Sequence, residues 1–232
     1  MAQIRRILQN LTRIGKPLRI LGIAALILNA GAAIAEPKAV SADIWVDNWF
    51  EMHVNGTKVV EDSVPITTER SFNAETATFT ADLPMTIAIM AKDFKENDTG
   101  LEYIGTDRQQ MGDGGMIAQF HDAATGTLLA VTNSTMRCLV VHHAPVDRAC
   151  ADTKSPVAGL GACAFVTTQI PANWTAPNFD DSGWPAATEH SAREVGPKGG
   201  YDNINWDAAA KLVWSDDLVL DNTLLCRMTI TQ

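Results

Sequence analysis

The chain has 232 residues, with 18 basic and 27 acidic side chains and a formal charge of −9 at pH 7. Its first 35 residues hold five of the basic side chains and no acid, so the remaining 197 residues carry a formal charge of −14. A surface of this charge repels phosphate backbones, which excludes nucleic acid as an expected partner. It is compatible with neutral ligands, cations or a basic protein. A chain of 197 residues is long enough to bury the core of one domain.

Residues 1–35 have the pattern of a secretory signal peptide. The five basic side chains come first, residues 20–28 form an apolar run, and residues 33–35 read Ala-Ile-Ala, an A-x-A cleavage pattern. The apolar run is too short for a comfortable membrane span. We expect cleavage after Ala35, with an uncleaved anchor as the alternative. The predicted mature domain, residues 36–232, would then be periplasmic or extracellular and without a membrane span.

Four cysteines follow the predicted signal peptide: Cys138, Cys150, Cys163 and Cys226. An even number in an exported protein predicts two disulfides, with three possible pairings. Cys150 and Cys163 bracket a loop that can close on itself, whereas Cys138 and Cys226 lie in two strand-like segments. We therefore expect disulfides 138–226 and 150–163. A zinc site is the alternative, although the sequence has no C-x-x-C spacing.

Alternation of apolar and polar residues predicts strands along the mature region. In residues 50–54, Phe, Met and Val alternate with Glu and His, and the Asn55-Gly56 pair that follows is a strong hairpin signal. Residues 85–90 form a continuous apolar run typical of a buried strand, and residues 224–230 alternate again. No stretch outside the signal peptide has a helical period. The pattern predicts an all-β sandwich or jelly roll in a single domain.

An acidic turn lies between two aromatic residues in residues 178–185, which read NFDDSGWP. We predict structural roles for Asp180, Asp181 and Trp184, because turn carboxylates accept hydrogen bonds from nearby backbone and the indole seeks the core. Arg227 is expected to be a buried partner of one of the two carboxylates. A catalytic carboxylate pair is the alternative, but adjacent residues rarely aim both carboxyls at one substrate atom.

Several segments, taken in order, resemble motifs of galactose-binding-like β-sandwich domains. Residues 47–56 (DNWFEMHVNG) resemble the strand-and-hairpin motif aDN-x-F-x-L-y-V-N-G, and residues 174–187 resemble W-x-x-p-x-F-D-D-S-x-W-p-x-A. Further segments that follow the family's order are residues 83–92, 115–120, 211–214 and 224–227. The resemblance implies an eight- or nine-stranded jelly roll of a kind often attached to carbohydrate-active enzymes and often binding glycans. The matching residues are mostly structural, so no sugar-contact residue is carried over.

Aromatic residues outside the structural motifs are the candidates for sugar binding. Glycan sites commonly combine an aromatic platform with a few polar groups, and Tyr201 and Trp206 lie in a Gly-rich loop where such a platform can be exposed. Trp49 is a further candidate. The alternative for Tyr201 and Trp206 is that they pack down and pin their loop.

Calcium and copper are the metal ions that this sequence could bind. The 107–113 loop has oxygens suitable for a structural calcium, which the resembled domains often hold, but it lacks an established loop signature. His142 and His143 are adjacent on a predicted strand, so their side chains point to opposite faces and chelate one copper ion poorly. We expect no other cofactor, and the metal ligands stay undetermined.

Catalytic motifs are absent from the sequence, which contains no G-x-S-x-G, H-E-x-x-H, P-loop or G-x-G-x-x-G pattern. The mature length also excludes an ordinary (β/α)₈ glycosidase barrel. We therefore expect an exported, non-catalytic binding module whose leading ligand is carbohydrate. An envelope protein that binds another protein for assembly is the second hypothesis, and a periplasmic calcium- or copper-binding protein is the third. Side chains of acids or histidines that converge on one point would favour a metal.

Overall fold

The computed structural model describes residues 37–231, which form strands joined by loops and single helical turns. The predicted signal peptide lies outside the described residues. The strands are β1 (Lys38–Asp47), β2 (Trp49–Val54), β3 (Thr57–Glu61), β4 (Ala74–Ala81), β5 (Met85–Lys92), β6 (Leu101–Glu102), β7 (Gln110–Met111), β8 (Gly115–Asp122), β9 (Leu128–Val131), β10 (Arg137–His143), β11 (Val166–Thr167), β12 (Thr188–His190), β13 (Leu212–Trp214) and β14 (Asp221–Ile230). The helical turns are α1 (Ala192–Val195) and the 3₁₀ turns Arg148–Asp152, Gly161–Cys163 and Tyr201–Asn203. Within the described part of the chain, no helix has the length and apolar character to cross a membrane.

Two six-stranded sheets contain most of the strands, and their pairings are antiparallel. The first sheet has the order β12-β13-β8-β1-β4, with β9 also paired to β8. The second has the order β11-β10-β14-β5-β2-β3, and β6 pairs with β7 apart from both. The all-β prediction is therefore confirmed, and the sheets are compatible with a β-sandwich.

The main core receives alternate residues of strands from both sheets, because successive side chains of a strand point to opposite faces. The inward residues of β1 and β2 are Val40, Ala42, Ile44, Val46, Phe50, Met52 and Val54. Full burial of a valine, isoleucine, phenylalanine or methionine side chain is worth about 1.5–3 kcal/mol. The hairpin predicted at Asn55-Gly56 joins β2 to β3, with φ values of 49° and 85° in the left-handed region that these two residues favour.

Two disulfides join the four cysteines in the pairs expected from the sequence. Cys138 lies directly opposite Cys226 on the neighbouring strands β10 and β14. Cys150 and Cys163 close a loop of their own, with a separation of 13 residues. Two disulfides are typical of a protein that folds in an oxidising compartment.

The acidic turn packs onto β14 through a buried guanidinium. Arg227 is 3 % exposed, and its Nε donates to Asp181 Oδ2 at 2.7 Å. The same group donates to the carbonyl oxygens of Trp174, Ala176 and Phe179. One cation thus satisfies a carboxylate and three backbone acceptors of the turn segment, which holds that segment against the sheet.

The other members of the turn also have structural contacts. Asp180 Oδ1 accepts a hydrogen bond from the backbone N–H of Ser182 at 3.0 Å. Trp184 is 8 % exposed and packs beside Phe179, with 5.5 Å between the ring centroids. The turn is therefore fixed both by hydrogen bonds and by an apolar anchor.

Replacing Arg227 is expected to destabilise the fold strongly. Arg227→Met leaves Asp181 and three backbone carbonyls without their donor, and each such group left without a hydrogen bond costs about 1–3 kcal/mol where it is buried. Arg137 is a matched control, because it lies opposite Arg227 in the β10–β14 register and is exposed, and its side chain makes one hydrogen bond, to the Trp184 carbonyl. Urea unfolding should show that Arg137→Met lowers the free energy of unfolding by less than about 1 kcal/mol. Equal losses for the two variants would contradict the role assigned to Arg227.

Candidate functional site

The structure places the three aromatic candidates at two separate locations. Tyr201 lies 5.7 Å from Trp45 and 5.7 Å from Trp206, measured between ring centroids, and Trp206 Nε1 donates to the Tyr201 carbonyl at 3.0 Å. Both rings are partly buried against the cluster around Trp45. Trp49 lies on β2 in the other sheet, with the Lys92 ammonium 4.6 Å from its ring. Tyr201 and Trp206 thus pack against Trp45 of the first sheet, whereas Trp49 lies in the second sheet.

The two adjacent histidines have different partners. His142 is buried and stacks on Phe165 at 5.7 Å, and burial, helped by the charge of Lys95, lowers the pKa of His142 to about 4. His143 Nδ1 lies 2.6 Å from Asp221 Oδ1. The two imidazoles therefore do not converge on one point.

Three carboxylates do converge, and we call Asp47, Asp93 and Asp113 the aspartate cluster. Asp47 ends β1, Asp93 directly follows β5, and Asp113 lies between β7 and β8. One ligand oxygen from each lies within 4.8 Å of the other two, and among residues 37–231 this is the one group of three acids, histidines or cysteines so arranged. Of the calcium loop considered from the sequence, Asp113 belongs to the cluster, whereas Asp107 lines a separate surface depression.

Two glycines allow the Asp113 loop to lie close to the rest of the cluster. A Cβ on Gly112 would be 2.0 Å from Asp93 Oδ2, and a Cβ on Gly114 would be 2.3 Å from Trp214 Cε2. Any larger residue at either position would have to move the loop. The glycines therefore bring the Asp113 backbone against Asp93 and the Trp214 indole.

Burial leaves part of the aspartate cluster without hydrogen bonds. Asp47 is 1 % exposed and Asp93 is 3 % exposed, and Asp47 Oδ2 and Asp93 Oδ1 have no hydrogen-bond partner. The remaining oxygen of Asp93 accepts a 3.4 Å hydrogen bond from Asn222. Burial, and then the charge of Asp113, raises the pKa of Asp47 to about 8. Burial and the charge of Asp47 raise the pKa of Asp93 well above its usual range.

One ammonium group faces the cluster from the loop after α1. Lys198 Nζ lies 3.3 Å from Asp113 Oδ2 and 3.9 Å from Asp47 Oδ2. The backbone of this loop is held in place, because Trp45 Nε1 donates to the carbonyls of Lys198 and Gly199, each at 3.1 Å. The Lys198 side chain itself is 47 % exposed. Its ammonium can therefore move while its backbone stays anchored.

A cavity of about 370 Å³ lies beside this ammonium, and we call it the Tyr103 cavity. Its walls include Arg70, Phe72, Glu102, Tyr103, Gln110 and Lys198. Glu102 is 3 % exposed and accepts a hydrogen bond from Gln110 Nε2 at 2.8 Å. Burial raises the pKa of Glu102 to about 7, with a further contribution from the charge of Asp113. Lys198 thus faces both the aspartate cluster and the cavity.

Comparison with protein-family models, with curated proteins and with solved structures found no match for this chain. The function is therefore inferred from the chemistry of the site itself. The Tyr103 cavity offers aromatic surface together with donors and acceptors, and the aspartate cluster offers oxygen ligands. Sequence reasoning missed both aromatic residues of the cavity, since Phe72 and Tyr103 lie in loops without a distinctive pattern.

Proposed function

We propose that this protein is an exported, non-catalytic module that binds carbohydrate in the Tyr103 cavity. The observation that carries the proposal is the lining of that cavity, where two aromatic rings lie among side chains that donate and accept hydrogen bonds. Its volume is in the range of small-molecule sites. The antiparallel sheets and the two disulfides fit the exported galactose-binding-like jelly roll that the sequence resembles.

The polar groups of the cavity suit the hydroxyl groups of a sugar. Each hydroxyl both donates and accepts, so it pairs with donors such as Arg70 and Lys198 and with an acceptor such as Glu102. The side-chain amide of Gln110 can both donate and accept a hydrogen bond. The rings of Phe72 and Tyr103 supply apolar surface for the C–H faces of a sugar ring. This assignment places the sugar away from Tyr201 and Trp206, whose rings pack into their own loop.

A glycan array is expected to show binding that depends on Tyr103. The oxidised protein, produced by export of the full chain, would be applied with calcium present. Tyr103→Ala should weaken binding about tenfold or more, since loss of a central aromatic contact costs about 1.4 kcal/mol or more. Trp49→Ala is the matched control, because Trp49 is a partly exposed aromatic residue on β2 that does not line the cavity, and its loss should leave binding unchanged. Silence across bacterial, algal and plant glycans would refute the proposal, and equal losses in both variants would refute the site.

A protein partner is the second candidate, and one observation favours it. The exposed large apolar side chains of the described residues all lie between residues 146 and 170: Val146, Val157, Leu160, Val166 and Ile170. Contiguous exposed apolar surface is typical of an interaction site, so we infer that this segment would contact the partner. A silent glycan array would therefore shift the assignment to an envelope assembly protein.

A further inference from the structure

We propose that the aspartate cluster binds a divalent cation, for which calcium is the best fit, and that the cation takes the place of the Lys198 ammonium. The three carboxylates alone would form the cation site. Its effect on the Tyr103 cavity rests on the proposed carbohydrate function. The cluster and the cavity share Lys198, so the two sites are neighbours.

The donor set selects a hard cation. The cluster offers carboxylate oxygens and contains no histidine or cysteine, whereas zinc and copper favour nitrogen and sulfur ligands. Oxygens on opposite sides of a calcium ion are about 4.6–5.2 Å apart, because each Ca–O distance is about 2.3–2.6 Å. The ligand oxygens of the cluster lie within 4.8 Å of one another. They therefore fit around one such ion without a large rearrangement.

Two buried oxygens that receive no hydrogen bond indicate that the cluster is built for a ligand. Asp47 Oδ2 and Asp93 Oδ1 are buried and receive no hydrogen bond. A buried carboxylate oxygen that receives no hydrogen bond is costly, and folded proteins normally pair such a group or use it to bind a metal. The close approach of Gly112 to Asp93 leaves no room for a side chain at that point of the loop. A cation bound by the three aspartates would compensate the charge of both buried carboxylates at once.

Lys198 satisfies the cluster only in part. Its ammonium makes ion pairs with Asp113 and Asp47, and Asp93 is not among its ion-pair partners. The anchored backbone limits how far the ammonium can reach. It also brings one positive charge to three carboxylates, with Glu102 close enough to contribute to their electrostatics. A free divalent cation brings two charges and can contact all three aspartates, so it should displace the ammonium.

Displacement of Lys198 gives the cation a consequence for the cavity. The side chain already lines the Tyr103 cavity and is half-exposed, so a displaced ammonium has space to turn there. It would add a free donor to the cavity wall after losing its carboxylate partners. Cation binding should then strengthen sugar binding, and because coupling between two sites is reciprocal, sugar binding should strengthen cation binding by the same factor.

Calorimetric titration with calcium chloride tests the exchange, using the exported protein at pH 8.5. The wild-type protein should bind one calcium ion per chain. Asp113→Asn should weaken that binding at least tenfold. Lys198→Met should strengthen it about fivefold, because the variant lacks the competing ammonium. Lys154→Met is the matched control, since Lys154 is exposed and belongs to neither site, and it should bind calcium as the wild type does.

Each outcome of the titration has one meaning. No heat of calcium binding to the wild-type protein would overturn the cation site. Unchanged or weaker binding by Lys198→Met would overturn the exchange, because a lysine that supports the site would have that effect. A silent glycan array leaves this experiment intact, since calcium chloride is its sole probe.

Discussion

Without calcium, the free energy of unfolding is expected to fall by about 3–5 kcal/mol between pH 5 and pH 8.5, and calcium is expected to remove most of that fall. Each carboxyl that is protonated in the folded state and ionised in the unfolded state contributes about 1.4 kcal/mol per pH unit. The pKa of Asp47 is about 8 and that of Glu102 is about 7, both raised first by burial. The pKa of Asp93 is also raised well above its usual range, again first by burial.

The direction of the effect follows from proton counting. Between the ordinary pKa of a carboxyl and its raised pKa in the folded protein, the folded state binds more protons than the unfolded state. Stability therefore falls as the pH rises through this window, and it levels off above the folded pKa. The charges of Asp113 and Glu102 also raise the pKa of Asp47 and add to the effect, whereas the positive charge of Lys198 opposes it. We expect the total fall in the free energy of unfolding to be smaller than the sum of the separate contributions, because the carboxyls titrate together.

Calcium should reverse this dependence, because it binds the ionised carboxylates and competes with protons. Its stabilisation should therefore be larger at pH 8.5 than at pH 5, and should reach about 2.7 kcal/mol when calcium is at 100 times its Kd. Urea unfolding at both pH values, with calcium or with EDTA, measures the difference. Burial raises the pKa of Asp62 to about 7, and Asp62 lies outside the cluster. Its contribution to the pH dependence of stability should therefore be the same with and without calcium. The same stability profile with and without calcium would rule out cation binding by ionised carboxylates.

The parts of this fold that were predictable depend on residues close together in the chain. Alternation identified β2, and the Asn55-Gly56 pair identified the hairpin after it, because both patterns act through local backbone geometry. Cys150 and Cys163 are separated by a short loop, so their pairing is the simplest closure. Arg227 and Asp181 are distant in sequence, but a lone arginine in an apolar strand requires a partner, and the acidic turn offered one.

The aspartate cluster was not predictable in the same way, because it forms only when distant strands come together. Asp47 reaches Asp113 through the pairing of β1 with β8, in which Asp47 lies opposite Gly115. Asp93 comes from the other sheet, directly after β5. In the sequence each looks like a solvated strand end or turn residue. The available clue was the run of glycines around Asp113, since glycines on both sides of an acid indicate close approach of the backbone.

The aromatic candidates show a similar limit. Tyr201 and Trp206 lie in a Gly-rich loop, which in sequence resembles an exposed recognition loop. In the structure the loop folds back onto Trp45, and its rings bury apolar area instead of leaving it exposed. Composition alone does not separate these outcomes, because the partner that the loop packs against lies more than 150 residues earlier in the chain.

Replacing Asp93 with asparagine is expected to change stability in opposite directions with and without calcium. Without calcium at pH 8.5, Asp93→Asn should be more stable than the wild type by about 1–2 kcal/mol, because a neutral amide of the same shape is cheaper to bury than a carboxyl. With calcium, the variant should lose most of the stabilisation that calcium gives the wild type, because the proposed cation site takes one of its ligand oxygens from Asp93. Its curves with and without calcium should therefore nearly coincide.

A structural role alone would not give this reversal of sign. If Asp93 served only to accept its hydrogen bond from Asn222, the asparagine amide oxygen would still accept that bond, and the difference in stability from the wild type would be the same with and without calcium. Asp107→Asn is the matched control, because Asp107 is exposed in the segment that leads to Asp113 and lies outside the cluster. That variant should keep both the wild-type stability and the full response to calcium. Urea unfolding of the three proteins with calcium or EDTA distinguishes the cases, and a calcium response retained by Asp93→Asn would remove Asp93 from the cation site.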